Sequence, residues 1–587
     1  MIQSYLKELY KKENKNVQFN GTEYKLNSRY KIGKININNK LSTLDMLNQS
    51  SQKIFIENHD LNGAYEGDIA LVQVMFNPKG KTKAKVIEVL DRGVSQILCM
   101  VKDKELYTIK ENILIDCEDV RNKEGDVVIF QNGKIIQKLG TIYDPAIDEI
   151  ISLSLYGEIS RLDPYSTDIK KAKDDKRTDL RDLDFCTIDP VGAKDFDDAV
   201  YFDEGSSTLY VAIADVSSYV QEGSSLDIEA QKRAFSIYLP HKVLPMLPFE
   251  LSNNLCSLVP EEDRLAYVFK MKLDIKKQKV TSSELFEAVI NSKRRYTYEE
   301  IDDILEKNDK ENYFVKLYDI TKLFRRARLK NGYDFRNEEL RQKLDENNNL
   351  ESIQKEDSTP SHSLIEECML LANQEAAKKL KTLGVFRVHD EPTQPKIAKL
   401  VDDVNMLGLN AKLKSDVHST IVSIQQKAKN VGLEKEIDEL IIQSQQQAAY
   451  SSIKKEHFGL GFKDYSHFTS PIRRYADLVL HRILKTGKIP KDIEETCIYI
   501  SQKERDIAQL VWDFEDRKYA RWAYKNIGKN IEAKVVDAQN HLAETTENIE
   551  GLRAHIENYS GEKLFTPLNL RITKSDFISK KISAMVL

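Results

Sequence analysis

The sequence predicts a multidomain α+β protein in which a central α+β body is flanked by small β-barrels. A length of 587 residues exceeds what one core can use and indicates roughly three to five domains. Short alternating apolar runs, typical of strands, occupy residues ~15 to ~150 and return after Gly528. Between these two regions strands are mixed with long amphipathic helices, and residues ~390 to ~525 are mostly helical by their apolar spacing.

The predicted barrels follow from strand and turn signals. Apolar runs at residues 69–74, 85–90 and 126–130 are separated by Gly, Asn and Asp turns, which fits five-stranded barrels of the OB or cold-shock kind. Similar runs between residues 531 and 572 predict a last barrel. We therefore expect a basic segment and first cold-shock-like barrel at residues 1–85, a second at 86–150, the α+β body at 151–525 and a short C-terminal OB-type barrel at 526–587.

Composition narrows the classes of protein. No run of 18 apolar residues occurs and the first residues lack a secretory h-region, so we expect no membrane partner. None of the six cysteines lies in a CxxC pair, which indicates a reducing cytoplasm and disfavours a zinc site. The net charge of −5 at first argues against a polyanion partner, but residues 1–40 carry nine Lys or Arg against three Glu. We expect a cytoplasmic monomer.

Four aspartates lie close together between two strand-like runs: Asp189, Asp195, Asp197 and Asp198. Pro190 and Gly192 favour a turn that folds the first aspartate back towards the others. Converging carboxylates repel one another, and Mg²⁺, which prefers carboxylate oxygens, relieves that repulsion. Two such ions could serve an in-line attack on a phosphodiester. A solvated acidic turn remains the alternative, whereas an EF-hand calcium loop is excluded because Val200 stands where that loop needs Gly or Glu.

A second dense motif contains paired arginines. Ser470 followed by Pro471 predicts a helix start, which puts Arg473 and Arg474 in the first turn, where the helix dipole disfavours cations. Arginines placed there, beside outward-pointing backbone N–H groups, indicate a phosphate subsite. The alternative is that both arginines pair with Asp477 or with other buried acids.

The two motifs, DPVGAKDFDDAV and HFTSPIRRYADL, resemble the aspartate and arginine motifs of the ribonuclease II family, which has an RNB catalytic domain. Further stretches such as LIEECMLLAN, FRVHDEP and HFGLGF agree in order and spacing, and the likeness is greatest to the bacterial ribonuclease R branch. It covers residues 140 to 525 closely. The resemblance implies a 3′→5′ exoribonuclease that hydrolyses RNA to nucleoside 5′-monophosphates in RNA turnover and quality control.

The resemblance also implies roles for individual residues. Two magnesium ions, for which Mn²⁺ could substitute, would be held by four aspartates: Asp189, Asp195, Asp197 and Asp198. Of these, Asp197 would be the least replaceable. Arg473 would stabilise charge on the scissile phosphate, so Asp197 and Arg473 are the catalytic candidates. The candidates for binding RNA are Tyr238, Tyr298, Glu366, Glu367, Arg473 and Arg474.

Some of these RNA-binding assignments leave alternatives open. Tyr238 would stack near the 3′-terminal bases, while Tyr298 and one glutamate would position the terminal nucleotide. Helical spacing places Glu366 on one face with Asn373 and favours it, with Glu367 still open. Ordinary core packing is the alternative for both tyrosines.

The sequence departs from the family pattern in two places. Residues 339–344 lack the aromatic residue that usually completes a base clamp in the family. Two alternatives stay open: Tyr333 or Phe335 substitutes for it, or the clamp is looser and processivity is reduced. Residues 528–587 carry eight Lys or Arg against eight acids, a weak electrostatic grip for an RNA-binding barrel. Single-stranded or 3′-overhang RNA is therefore the expected partner, and degradation of duplex RNA stays open.

Two other functions compete with this reading. An RNA-binding regulator that keeps the fold without catalysis should lose aspartates or the arginine, because unpaired site charges are costly. All four aspartates and Arg473 are present. An unrelated phosphotransferase is disfavoured because the chain has no GxxxxGK[ST] loop.

Overall fold

The structure is a computed structural model that describes residues 2–37, 42–47, 53–65, 67–75, 82–91, 93, 96–110, 112–115, 117, 120–131, 133–162, 176–335 and 338–587. The predicted α+β, multidomain fold class is confirmed. Within the described ranges, no helix combines the length and apolar character that crossing a membrane requires.

The N-terminal part contains a closed five-stranded barrel. Its elements are α1 (Ile2–Lys11), β1 (Val17–Phe19), β2 (Tyr24–Leu26), β3 (Tyr30–Asn36), β4 (Ser42–Met46), β5 (Lys53–Ile56), β6 (Ile69–Met75) and β7 (Lys83–Asp91). The barrel closes in the order β3-β4-β5-β7-β6, while β1 and β2 form a separate hairpin. Alternating residues such as Ile35 and Leu44 fill the interior. The predicted boundary between residues 85 and 86 falls inside β7, which pairs with β5 and β6 and so lies in this barrel.

A second antiparallel sheet follows. It consists of β8 (Ile97–Lys102), β9 (Glu105–Thr108), β10 (Leu114–Ile115), β11 (Asp126–Gln131) and β12 (Lys134–Thr141). Among the described residues the strands pair in the order β10-β9-β8-β11-β12, with β10 and β12 at the edges, where the sequence predicts a second barrel. Helix α2 (Ile147–Leu155) packs on this sheet, and its buried Ile147 and Ile151 join the apolar core beneath it.

The central body is built on a seven-stranded sheet. In chain order its elements are β13 (Thr178–Asp179), β14 (Cys186–Asp189), β15 (Asp198–Asp203), β16 (Thr208–Ala214), α3 (Ser225–Arg233), β17 (Ile237–Leu239), β18 (Lys242–Leu244), β19 (Asp263–Asp274), β20 (Lys279–Asn291), β21 (Arg294–Thr297), α4 (Tyr298–Lys307), α5 (Tyr313–Arg328), β22 (Glu338–Leu344), β23 (Leu350–Asp357), α6 (Pro360–Lys379), β24 (Leu383–Val388), α7 (Gln394–Met406), α8 (Val417–Val431), α9 (Glu434–Ser444), β25 (Ala449–Ile453), α10 (Tyr475–Thr486) and α11 (Ile493–Lys525). The sheet order is β13-β20-β19-β16-β15-β14-β21. Helix α6 packs against α4, α5 and β16, and its buried residues join the largest apolar core. This core supports both sequence motifs.

Two further units are a helical subdomain within the central body and a barrel that follows it. Helices α7, α8 and α9 share a separate apolar core around Val404, Ile421 and Ile441. A closed C-terminal barrel contains β26 (Asn530–Asp537), β27 (Leu542–Thr545), β28 (Arg553–Ile556), β29 (Pro567–Asp576) and β30 (Lys581–Val586).

Helix α11 connects the parts. It packs against α2, β25 and β29. Its Arg521 donates two hydrogen bonds to the carboxylate of Asp148 on α2, at 2.7 and 2.8 Å, and both side chains are buried. Planar, charge-assisted bonds of this kind are directional, so they hold α2 in a defined position on the body.

Candidate active site

The aspartate motif forms the connection between two neighbouring antiparallel strands. Asp189 ends β14 and Asp198 begins β15, so both lie at the same end of two adjacent interior strands of the central sheet. The intervening loop is held by Ser257, which accepts a hydrogen bond from the Phe196 N–H at 2.9 Å and donates to the Lys194 carbonyl at 2.8 Å. The fold therefore brings the first and last aspartates of the motif together.

The electrostatics of this loop favour a cation. Asp197 is only 5% exposed, and burial raises the pKa of its carboxyl well above its usual range. Burial, with the nearby Asp198, raises the pKa of Asp189 to about 8, and burial raises that of Asp198 to about 6. One buried oxygen of Asp189 and one of Asp197, Oδ2 in each case, has no hydrogen-bond partner. Orphaned oxygens in a carboxylate cluster fit a hard divalent cation, which they could coordinate.

The four aspartates of the motif are near one another, but their carboxylate oxygens are not yet at the spacing of a compact metal site. Of these described aspartates, no three offer oxygens within 4.8 Å of one another. Glu57, His59 and Asp60 on the first barrel do meet that distance, but His59 is exposed and Glu57 pairs with Lys83. The proximity of Glu57, His59 and Asp60 is accounted for by exposed ion pairs at the surface. The aspartate motif is the better candidate for a metal site, because its carboxylates are buried and two of their oxygens have no hydrogen-bond partner.

The arginine motif lies directly against the aspartates. The Ile472 N–H donates to Asp197 Oδ1 at 2.9 Å, and Arg473 Nε lies 3.7 Å from Asp197 Oδ2. Arg473 also donates to Ser470 Oγ at 3.2 Å, and its side chain stays 46% exposed. The two motifs, far apart in sequence, therefore form one site in which a guanidinium next to the carboxylates is open to a ligand.

The predicted helix start at Ser470 and Pro471 is wrong. Helix α10 begins at Tyr475, and Arg474 is its N-cap in an extended conformation. The reason is a tertiary backbone pairing, in which the Ser236 N–H donates to the Arg473 carbonyl and the Tyr475 N–H to the Ala234 carbonyl. That pairing holds the residues just before α10 extended and leaves a turn ahead of them, so Arg473 lies on a turn and not in a helix.

Arg474 has an internal partner. Its guanidinium forms two hydrogen bonds with Asp477, both at 2.9 Å, and Asp477 is fully buried. Asp477 also accepts the Ser470 N–H at 2.8 Å. The alternative of an Asp477 pair therefore applies to Arg474 and not to Arg473. This pair accounts for the position of Arg474, so the more exposed Arg473 is the better candidate of the two for RNA contact.

The two predicted RNA-binding tyrosines lie beside the aspartates. Tyr238, on β17, is 44% exposed and donates from its hydroxyl to Asp195 Oδ2 at 3.0 Å. Tyr298 begins α4 and stacks on His362, with ring centroids 3.7 Å apart. Although the Tyr238 side chain is partly exposed, desolvation of its phenol and the nearby Asp195 raise its pKa, and burial with the nearby Asp198 and Asp189 raises the pKa of Tyr298. Both hydroxyls therefore stay protonated and can donate hydrogen bonds.

The two glutamates of α6 have different environments. Glu366 is exposed and pairs with Arg325 at 2.9 Å, whereas Glu367 is buried and pairs with Arg328 at 2.5 Å. Asn373, which helical spacing places on the same face as Glu366, is buried, accepts the Phe468 N–H and donates to the Tyr465 hydroxyl. The accessible Glu366 stays the better candidate for RNA contact.

Tyr333 and Phe335, the two residues suggested as substitutes for the clamp aromatic, both pack against an apolar core. Tyr333 is buried in the α7–α9 core, where its ring lies against His418 and Phe458. Phe335 packs against the same core. Gln342, near the expected clamp position, is buried and donates to the Glu515 carbonyl on α11. Tyr333 therefore offers no face for stacking.

The central body matches a known family model. The model described as the RNB domain covers residues 177–488, more than half of the chain, and one described as the N-terminal first OB domain of ribonuclease R covers residues 1–85. Ribonuclease R of Helicobacter pylori is 34% identical over 474 residues, 76% of this chain and 72% of that protein. The chain belongs to the RNB-domain ribonucleases, the family of ribonuclease R. It is therefore a hydrolytic 3′→5′ exoribonuclease, as the family resemblance implies, and the RNB nucleases are metal-dependent.

Solved structures of this family have the same fold as this RNB ribonuclease. Mycoplasma genitalium RNase R in complex with ribose-methylated single-stranded RNA superposes with a TM-score of 0.83 at 23% identity, covering 95% of this chain and 100% of that one. The same protein in complex with double-stranded RNA gives a TM-score of 0.74 at 25% identity, covering 89% and 99%. The chain therefore shares its arrangement of barrels around the RNB body with these solved structures.

Sequence reasoning missed one charged residue of the RNB site. Arg295, on β21, donates from Nη2 to the carbonyls of Pro190 and Val191 at 2.5 and 2.7 Å. Its positive charge also opposes the rise in the pKa of Asp189. The residue lies in RRYTYEE, but only the parallel pairing of β21 with β14 brings it to the aspartate loop, and that pairing has no local signal.

Arg295→Ala is expected to raise the Mg²⁺ concentration that gives half-maximal hydrolysis by about 10- to 100-fold, because residues that orient metal ligands carry effects of that size. The substitution frees the turn that spaces Asp189 from Asp195. A metal titration of the initial rate on a saturating RNA measures the effect. The neighbouring Arg294→Ala, whose exposed side chain pairs with Glu300, is the matched control. Equal metal dependence in the two variants would contradict the role of Arg295.

Proposed function

We propose that the aspartate loop and Arg473 hydrolyse the 3′-terminal phosphodiester of RNA and release nucleoside 5′-monophosphates. The observation that carries the proposal is the direct contact between the motifs, the Ile472 N–H to Asp197 hydrogen bond with Arg473 Nε 3.7 Å from the same carboxylate. A buried acidic loop beside an accessible guanidinium is suited to a phosphodiester, whose charge changes at the phosphorus during attack.

Asp189, Asp195, Asp197 and Asp198 would hold the metal, which we propose to be two Mg²⁺ ions, with Mn²⁺ as a substitute. The donor set supports this choice, because it consists of hard oxygens, has two orphaned buried oxygens and includes no Cys or His. When bound, the ions would supply Lewis-acid polarisation of the phosphate and a template for in-line geometry. Ser257 and Arg295 hold the loop that carries these ligands.

The protein side chains provide the remaining chemistry. Arg473 would stabilise negative charge on the scissile phosphate, because its guanidinium is permanently charged and exposed. Tyr238 would present its exposed ring to the terminal bases. Tyr298 would donate its protonated hydroxyl to the terminal ribose, and Glu366 would accept from a ribose hydroxyl, with Glu367 as the buried alternative.

The expected substrate is single-stranded RNA or a duplex with a 3′ overhang, in RNA turnover and quality control. The Mycoplasma genitalium structures with single-stranded and double-stranded RNA support both forms as ligands. The neutral charge balance of residues 528–587 favours the single strand, since duplex binding relies more on phosphate contacts. A monomer in the cytoplasm is part of the same proposal, and the six cysteines without a CxxC pair support the reducing compartment.

Product analysis tests the reaction. An unlabelled RNA is incubated with the enzyme in Mg²⁺, in Mn²⁺ and in excess chelator, and the released mononucleotides are identified by mass spectrometry. We expect nucleoside 5′-monophosphates in both metals and none with chelator. Nucleoside 3′-phosphates or 2′,3′-cyclic phosphates, or undiminished release in chelator, would contradict metal-assisted attack by water.

A further inference from the structure

The N-terminal segment ahead of the first barrel carries an exposed aromatic cluster that the proposed active site does not use. Tyr10 lies in the last turn of helix α1, and its side chain is exposed to solvent. Phe19 and Tyr24 are paired residues on the two strands of the β1–β2 hairpin. The ring centroids lie 4.7 Å apart for Phe19 and Tyr24, 5.4 Å for Tyr10 and Tyr24, and 6.2 Å for Tyr10 and Phe19. Tyr10 is 46% exposed and Phe19 44% exposed, while Tyr24 is half-buried and packs against the small apolar core beneath the cluster. Large rings grouped in this way on a surface indicate a contact site.

The cluster is held rigidly. The Gln3 side chain donates to the Tyr24 carbonyl at 3.1 Å and accepts the Tyr24 N–H at 3.0 Å, which fixes the hairpin to α1. Asn20 Oδ1 accepts the N–H groups of Thr22 and Glu23 and closes the hairpin turn. The Tyr5 hydroxyl donates to Asp91 at the end of β7, which attaches α1 to the first barrel. Rings fixed in advance lose little conformational entropy on binding.

The charge around the cluster identifies the class of ligand. Residues 1–40 carry nine Lys or Arg against three Glu, although the whole chain has a net charge of −5. Lys11 and Lys25 each adjoin a ring residue and form only exposed ion pairs, with Glu8 and Glu23. Exposed pairs contribute little free energy, so a phosphate can replace the carboxylate at small cost. Aromatic faces next to exposed lysines match single-stranded nucleic acid, whose bases stack and whose backbone is anionic.

We propose that Tyr10, Phe19 and Tyr24 form a stacking platform for the upstream part of a long single-stranded RNA whose 3′ end lies in the active site. This inference rests on the proposed function, because 3′→5′ degradation leaves the 5′ portion outside the catalytic body. The platform holds bases without sequence preference, which suits an enzyme that degrades RNA of any sequence.

The double variant Tyr10→Ala/Phe19→Ala tests the platform by equilibrium binding to RNAs of roughly 5 and 30 nucleotides in the presence of chelator. We expect affinity for the long RNA to fall about tenfold, with the slope of log affinity against log salt unchanged, because stacking releases no counterions. Lys11→Gln/Lys25→Gln is expected instead to reduce that slope by roughly 0.7 per lysine. Tyr143→Ala, a similarly exposed tyrosine on another part of the surface, is the matched control and should leave long-RNA affinity unchanged.

The outcomes separate the platform from the active site. Unchanged long-RNA affinity in the double variant would overturn the platform and leave the rings as a protein-contact surface. An equal loss with the short RNA or in Tyr143→Ala would also overturn it. If the alanine variant unfolds, Phe19→Trp provides a second test, because it keeps a stacking ring and introduces a fluorescent indole at the platform. We expect long RNA to quench the tryptophan fluorescence of this variant more than that of the wild type. No added quenching counts against the platform. Failure of the proposed function is distinct, since the wild type would then not shorten RNA at all.

Discussion

Asp197→Asn is expected to lower the rate of RNA hydrolysis by about a thousandfold or more while leaving RNA affinity within about twofold. Asp197 is buried, and its Oδ2 has no hydrogen-bond partner, so this oxygen is available to a cation. The asparagine keeps an acceptor for the Ile472 N–H and therefore preserves the arginine turn. What it removes is the negative charge on which metal affinity depends.

Single-turnover hydrolysis and fluorescence anisotropy measure the two quantities for Asp197→Asn. Asp203→Asn is the matched control, because Asp203 lies at the opposite end of β15 and accepts hydrogen bonds from the neighbouring turn at Gly205 and Ser206. We expect wild-type hydrolysis in the control. Full activity of Asp197→Asn would remove the aspartate loop as the metal site, and loss of RNA binding would indicate a collapsed arginine turn.

Arg473→Ala is expected to reduce kcat by about 100- to 1,000-fold, the usual effect of removing one preorganised donor to developing charge. Its exposed side chain makes one hydrogen bond to Ser470 and a 3.7 Å contact with Asp197, so the melting temperature should change little. Arg473→Lys should recover only part of the loss, since an ammonium lacks the planar pair of donors. Wild-type kcat in Arg473→Ala would exclude this residue from catalysis.

The adjacent Arg474→Ala provides the contrast to Arg473. It leaves the carboxylate of Asp477 buried without its cation, and breaking a buried pair in this way costs about 3–5 kcal/mol. Thermal unfolding should therefore show a clear drop for Arg474→Ala and almost none for Arg473→Ala. The opposite result would exchange the roles assigned to the two arginines.

The catalytic candidates could be predicted because their signals are local. Asp189 and Asp198 bracket a Pro- and Gly-containing loop between apolar runs, a pattern that favours converging carboxylates but is shared with a solvated acidic turn, and the family resemblance favours the first. The alternating runs of the barrels are local in the same sense, and the α+β multidomain fold followed from them. The extent of β7 was less clear, because strand boundaries have weaker signals than strand interiors.

The features that the sequence analysis placed wrongly or missed all depend on contacts between residues far apart in the chain. Ser470 and Pro471 carry good helix-start signals, but backbone bonds from residues 234–236 hold the following residues extended and delay α10 until Tyr475. Tyr333 looked available as a clamp residue, yet the α7–α9 core buries it. Arg295 reaches the aspartate loop only through a pairing between β14 and β21. None of these contacts leaves a pattern in the neighbouring sequence.

A Mg²⁺-dependent time course tests the exoribonuclease site most directly, on two 5′-labelled RNAs, one single-stranded and one a duplex with a 3′ overhang, run with wild type and Asp197→Asn. We expect progressive shortening of the single strand from its 3′ end by the wild type, none in chelator and none by the variant. Arrest near the duplex would show that the weakly charged C-terminal barrel limits the enzyme to single strands. Binding without shortening in any divalent metal, or shortening by Asp197→Asn, would contradict an exoribonuclease site built on these aspartates.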